Sequence, residues 1–352
     1  MKRLLLSALT IASLVLPAAA DYRMIIPQDP PHAWSEVIMP ELSKKLGETI
    51  VNEYIPGPRN IPGINKWHKS ERFDNKAMAV IINTNATAFL IENTVDYDYK
   101  YYDLIALQNV GTMTHMVKGF DPYSAKKIIA VMNPGPGSDT SMMAATMLVC
   151  GPKANMQSYL DCWKEKFNYV KGMKGSEQNL ALRRGEINVA ATGIAGWFEQ
   201  FKTDPCCEPW FVDSIYNLAT GKDAPDPNFP GKSFEELYRV KWKQAPAGDL
   251  YEAYLLAHKW RDTLQKSVWI NRGNPNTETV RKAMTNLLND KEAVDRIDSR
   301  IGKYGWIVGN DGEKVMANLR NTITEKSYKN LIWWFTNAYG IEAVYKPELV
   351  KK

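Results

Sequence analysis

The chain has 352 residues, of which 45% are apolar, 24% charged and 11% aromatic. That length exceeds one ordinary hydrophobic core and predicts two domains or one large one. The apolar content excludes a disordered chain, and 22 glycines and 20 prolines without a period exclude a fibrous one. The formal charge of +5 is spread among interspersed acids, as in Lys164-Glu165-Lys166, so no clustered cationic face for nucleic acid is present.

At the N-terminus, Lys2 and Arg3 precede an apolar run from Leu4 to Pro17 and then Ala18-Ala19-Ala20. This is the pattern of a secretory signal peptide over residues 1–20, with a retained anchor as the bland alternative. The run falls short of the ~20 residues of a membrane span. Its removal leaves a charge of only +3, because two basic residues go with it.

Short apolar strands then alternate with helical patterns, which predicts an α/β architecture with mainly parallel sheets. Tyr22 to Ile26 reads as a strand, followed by the loop Pro27-Gln28-Asp29-Pro30-Pro31 and a helix between Ala33 and Leu46. Ile38, Leu42 and Leu46 give that helix a buried stripe, and Pro40 should kink it or sit near its first turn. A strand near Thr49 to Ile55, the Gly/Pro-rich loop Gly57 to Gly63, a helical stretch and a strand Met78 to Asn83 come next, closed by a polar turn at Thr84 to Thr87. Asp103 to Gln108 and Lys127 to Met132 are continuous apolar runs, as expected of strands buried on both faces. The second leads through Asn133-Pro134-Gly135-Pro136-Gly137-Ser138-Asp139-Thr140-Ser141 into the helix Met142 to Val149. A strand, glycine turn and capped helix can present free N–H groups to a carboxylate or phosphate, or can simply be a capped helix.

Further strands are expected at Phe167 to Val170, Ile187 to Ala191 and Ser267 to Ile270, with a helix at Ser176 to Arg184 and an amphipathic helix burying Val280, Met284 and Leu287-Leu288. Residues 203–230 read as loop-rich. Export would place the four cysteines in an oxidising compartment, where a local Cys150–Cys162 bridge is plausible. Cys206 and Cys207 are adjacent and harder to place. No Cys-x-x-Cys, His-x-x-x-His, nucleophile elbow, Walker loop or dinucleotide fingerprint occurs, so neither a catalytic group nor a cofactor or metal has positive support.

The segments Ile25-Ile26-Pro27 with Trp34 to Gly47, Gly57 to Gly63, Tyr169-Val170-Lys171-Gly172 with Leu182 to Val189, and Arg272-Gly273-Asn274-Pro275 together resemble the extracytoplasmic receptors of tripartite tricarboxylate transporters. The likeness runs over nearly the whole chain after residue 20, through loose motifs. It implies a two-lobed periplasmic binding protein of α/β class, without catalytic activity or cofactor, that holds a small organic anion in the cleft and passes it to membrane permease subunits. The lobes would be residues 21–110 with about 266–352, and residues 111–265, the second crossover falling within 218–267.

By position in the family pattern, the ligand loops of the first lobe are Gln28, Asp29, His32 and Trp34, then Arg59 and Asn60, then Asn85 and Thr87. The second lobe offers Gly137, Ser138 and Thr140, then Thr192 and Gly193. The first loop departs from the family's small Pro-Gly-Gly-like turn, so His32 and Trp34 would narrow the pocket or stack on a ligand, unless Trp34 only packs. Arg59 is the side chain best suited to a bidentate carboxylate contact, or else a solvated surface arginine. An exported hydrolase and a sensory protein that kept the binding fold are the alternatives.

Overall fold

A computed structural model describes residues 21–29, 32–131, 136–170, 172–173, 175–217, 222–309 and 311–350. The expected signal peptide, residues 1–20, lies outside them.

Strand β1 (Tyr22–Ile26) buries Met24, Ile25 and Ile26 and opens directly into the first loop. Helix α1 (Ala33–Leu46) follows, its stripe of Trp34, Val37, Ile38 and Leu42 packed on the sheet, and it ends at Gly47, whose φ of 71° suits a residue without a Cβ. Pro40 sits in mid-helix on the exposed face, where water can serve the carbonyl it leaves unbonded. Then come β2 (Ile50–Tyr54), α2 (Ile61–Lys69) and β3 (Ala77–Ile82), the last buried at every position, as expected of a strand covered on both faces. The predicted polar turn at 84–87 is instead the start of helix α3 (Asn83–Ile91). The Asn85 side chain accepts the Ile82 N–H, so helix begins where strand stops and the polar residues are buried as caps. Strand β4 (Tyr102–Gln108) ends this stretch.

Three residues later the chain enters β5 (Thr112–Val117), β6 (Ile128–Val131), α4 (Pro136–Cys150), α5 (Met156–Lys166), β7 (Phe167–Val170), α6 (Gly175–Arg183), β8 (Val189–Gly193) and α7 (Ile194–Gln200). The loop-rich reading of 203–230 is corrected: β9 (Cys207–Val212), β10 (Ile215–Asn217) and β11 (Lys222–Ala224) lie within it, interrupted by prolines that hide the alternation. Helices α8 (Phe234–Trp242) and α9 (Asp249–Thr263) lead to β12 (Lys266–Asn271). The chain closes with α10 (Thr277–Leu288), α11 (Lys291–Ile301), β13 (Trp306–Val308), α12 (Asp311–Asn321) and α13 (Glu325–Tyr339). Cys150 and Cys162 are bridged, as are the adjacent Cys206 and Cys207.

The strands form two large sheets and the β10-β11 pair. The first is ordered β13-β4-β12-β3-β1-β2, the second β7-β6-β8-β5-β9. Both are mixed rather than mainly parallel, since β12 runs antiparallel to β3 and β4, β13 to β4, and β5 to β8 and β9. The consequence is geometric. The carboxyl ends of β1, β3 and β4 share an edge with the amino ends of β12 and β13, and the carboxyl end of β8 shares one with the amino end of β5. Gln108 and Thr112 sit on these two edges only four positions apart, so the edges meet at the crossover.

Helix α9, which returns the chain to the first sheet, carries a buried charge network. Arg261 donates to Asp213, to Asp262 Oδ1 at 2.6 Å and to Ser141 Oγ at 2.9 Å, while His258 Nδ1 lies 2.8 Å from Asp262 Oδ2. Arg261 is fully buried, and two carboxylates and a hydroxyl answer its charge.

Candidate functional site

The meeting edges bring together His32 and Trp34 from the start of α1, Gln108 from the end of β4, and Lys266 from the start of β12. Gln108 and Lys266 are direct cross-strand partners, so their side chains leave the sheet on the same face. Val268 and Ile270, further along β12, pack into the α1 core, which identifies that face as the α1 side. Lys266 Nζ lies 2.9 Å from His32 Nε2, His32 Nδ1 lies 2.6 Å from Ser35 Oγ, and Trp34 Nε1 donates to Gln108 Oε1 at 2.8 Å. Trp306 flanks Trp34 at 5.8 Å between ring centroids.

The electrostatics of this cluster are unbalanced. Among the described residues only two lysine or arginine residues are buried, Arg261 and Lys266. Arg261 has two carboxylates. Lys266, 8% exposed, has only the imidazole of His32, and burial without a counter-charge pulls its ammonium down to about 7. Burial and the neighbouring Lys266 charge hold His32 well below its ordinary value, so the ring is neutral. When Lys266 carries its proton, His32 Nε2 must accept and Nδ1–H donates to Ser35.

Two further features share the sign. His32 is the N-cap of α1 and makes no side-chain cap, so the positive end of a 14-residue helix points at the same place. The Gln108 Nε2 donor, fully buried, finds no acceptor among the described residues. Glu36, in the first turn, is exposed and turned toward Asn52 and Tyr54. A buried ammonium bonded only to a neutral imidazole, an amide donor without an acceptor among the described residues, and a helix start without a side-chain cap give this corner the sign that suits an anion.

Opposite them stands the start of α7. Gln265 crosses the seam, its amide nitrogen donating to the carbonyls of Val110 and Gly111 when oriented to satisfy its neighbours. A Cβ at Gly193 would lie 2.9 Å from that amide, which gives Gly193 a packing reason. Thr192 lies behind it, against Gly196. An open hollow of about 210 Å³ lined by Ala33, Val37, Phe198, Glu199 and Arg300 adjoins the first turn of α1.

The other sequence candidates are placed as follows. Gln28 is half-buried and Asp29 exposed in the first loop. Arg59 pairs with Glu92, which is 3% exposed, so its charge is already answered; burial still raises the Glu92 carboxyl. Asn60 donates to Thr84 Oγ1 at 2.9 Å, and Asn85 donates to the Asn60 carbonyl at 2.7 Å, tying the second loop to α3. Thr87 bonds back to the Asn83 carbonyl inside α3. Thr140 is buried in α4, and the carboxylate of its neighbour Asp139 is occupied by the Tyr169 hydroxyl. Gly137 and Ser138 occupy the first turn of α4, while residues 132–135 of the loop before it lie outside the described residues. Position in the chain thus brings His32, Trp34, Thr192 and Gly193 to the seam. Sequence reading missed Lys266 and Gln108, and its only available signal was a lysine opening an apolar strand.

No protein-family model matches the sequence, and no curated protein does. Solved structures do match its fold. An R. palustris protein solved with adipate has a TM-score of 0.60 at 13% identity, covering 88% of this chain and 97% of its own. The periplasmic binding protein BugD gives 0.57 at 16% identity, covering 91% and 97%. MatC from Rhodopseudomonas palustris with bound malate gives 0.55 at 14% identity, covering 92% and 100%. The chain has the two-lobed α/β fold of periplasmic binding proteins, and the fold expected from the sequence resemblance is borne out.

Proposed function

We propose that the protein is a periplasmic solute receptor that captures a small organic anion, a carboxylate, and delivers it to the permease subunits of a tripartite tricarboxylate-type transporter. One observation carries the reading: Lys266, buried at the start of α1 where no side chain caps the helix, has no carboxylate among the described residues to answer its charge. Burying a cation that way costs several kcal/mol in the empty protein, and a ligand carboxylate recovers it. The fold-mates that hold adipate and malate support the ligand class. In this reading residues 1–20 are the export signal. Residues 21–110 with about 266–352 form one lobe and 111–265 the other, closing across the Gln265 seam without chemical turnover.

Thermal shift against mono-, di- and tricarboxylates, with amino acids as controls, tests it. A ligand at about 100 times its dissociation constant adds about 2.7 kcal/mol of stability. A panel in which no carboxylate moves the transition refutes the reading.

A further inference from the structure

We propose that Lys266 and His32 form a proton-accepting anchor, so that capture of a carboxylate at the start of α1 takes up one proton at Lys266. The inference rests on the receptor reading above and adds a coupling that the reading does not require.

The geometry supplies both halves of such an anchor. Lys266 Nζ and His32 Nε2 are 2.9 Å apart, and His32 is itself fixed by Ser35 through its other nitrogen. The imidazole accepts from Lys266 as ammonium or as amine, so the pair stays bonded when the proton leaves. Among the described residues nothing else around it supplies a fixed charge. On α1, Glu36 is exposed and bonded to Asn52 and to Tyr54 of β2, whose hydroxyl is pushed up to about 12 by burial and by Glu36. Its chain neighbours Gln265 and Ser267, and Gln108 opposite it on β4, are all uncharged. Asp29 in the first loop, Glu199 on α7 and Arg300 on α11 are exposed, and none forms an ion pair with Lys266.

In the empty receptor the Lys266 ammonium therefore loses its proton at about 7. An anion beside it favours the charged form and raises that value. Below about pH 7 the lysine is already protonated and binding moves no proton. Above it, the amine takes one proton from solvent as the carboxylate arrives, and affinity falls by up to tenfold for each pH unit. Affinity at about pH 8.5 should be about 30-fold weaker than at about pH 6.

The first test needs no ligand. Nitrogen NMR of the His32 ring in the empty wild-type protein, assigned with His32→Gln, should show a change in the Nε2 and Nδ1 shifts centred near neutral pH that disappears in Lys266→Met. Absence of the transition, or its persistence in Lys266→Met, overturns the proposal, because the proton would then not reside on the lysine. The second test is calorimetry with the tightest-binding carboxylate of the thermal-shift panel at both pH values, in buffers of different ionisation enthalpy. The expected result is pH-dependent affinity with proton uptake in the wild type, and neither pH dependence nor proton uptake in Lys266→Arg at whatever affinity it has, because its guanidinium does not deprotonate. A wild-type affinity that is flat with pH overturns the linkage alone. A panel without a binder overturns the receptor reading and this inference with it.

Discussion

Replacing Lys266 with methionine should make the empty protein more stable while destroying its ligand affinity. The methionine keeps the unbranched apolar stem and removes the ammonium. Lowering a lysine from its ordinary 10.5 to about 7 corresponds to roughly 5 kcal/mol against the folded state at low pH. Losing the bond to His32 returns about 1 kcal/mol of that. Local relaxation in the real protein trims the remainder, so the expected gain is about 1–4 kcal/mol. The pH dependence makes the origin visible. The folded-state value lies below the unfolded one, so between about 7 and 10.5 the unfolded chain holds the proton that the folded chain has lost. Wild-type stability from this group therefore rises with pH over that window, and the advantage of the variant shrinks by up to about 3 kcal/mol between about pH 6 and about pH 9.5. Urea unfolding of the two empty proteins at both pH values measures the gap directly, and subtraction cancels the titrating groups that do not touch Lys266. A variant that is less stable than wild type by the same amount at both pH values would refute the reasoning, since Lys266 would then be a stabilising structural lysine. Stability gained at the cost of binding is the signature of a residue kept for function.

Arg59→Ala should lower stability by roughly 1–2 kcal/mol in urea melts, because Glu92 is left buried without its partner, and should change carboxylate affinity less than about threefold. Asn85→Ala removes the side chain that joins Ile82 to the Asn60 carbonyl, for an expected loss of about 1–2 kcal/mol with affinity preserved in a calorimetric titration at low temperature. Replacing both Cys150 and Cys162 with serine opens a loop of 12-residue separation and should cost about 3 kcal/mol by chain entropy, read as a lowered melting temperature that matches the effect of reductant on that bridge.

The regular parts of the fold were legible because their burial is one-dimensional. The stripe Ile38, Leu42 and Leu46 and the run Met78 to Ile82 announce a helix and a doubly covered strand without knowledge of what they touch. Residues 84–87 misled because Asn and Thr signal a turn when solvated and a helix start when buried, and only the sheet decides which. Residues 203–230 misled because Pro205, Pro209, Pro225, Pro227 and Pro230 mask strands held by neighbours far along the chain, such as the pairing of Cys207 with Val117.

The candidate site divides along the same line. Loop positions follow from strand ends, so His32, Trp34 and Gly193 could be named in advance. Charge balance follows from contacts across the fold, which no run of residues displays. Arg59 looked free, yet folding brings Glu92 to it. Lys266 lies just before the strand expected at Ser267 to Ile270, and folding sets it against His32, 234 positions away, with no acid beside it among the described residues. A buried cation that the fold leaves unanswered is destabilising unless something else answers it. The energetic defect at Lys266 is therefore the argument for a ligand, because a carboxylate placed against the ammonium supplies the counter-charge that the described residues do not.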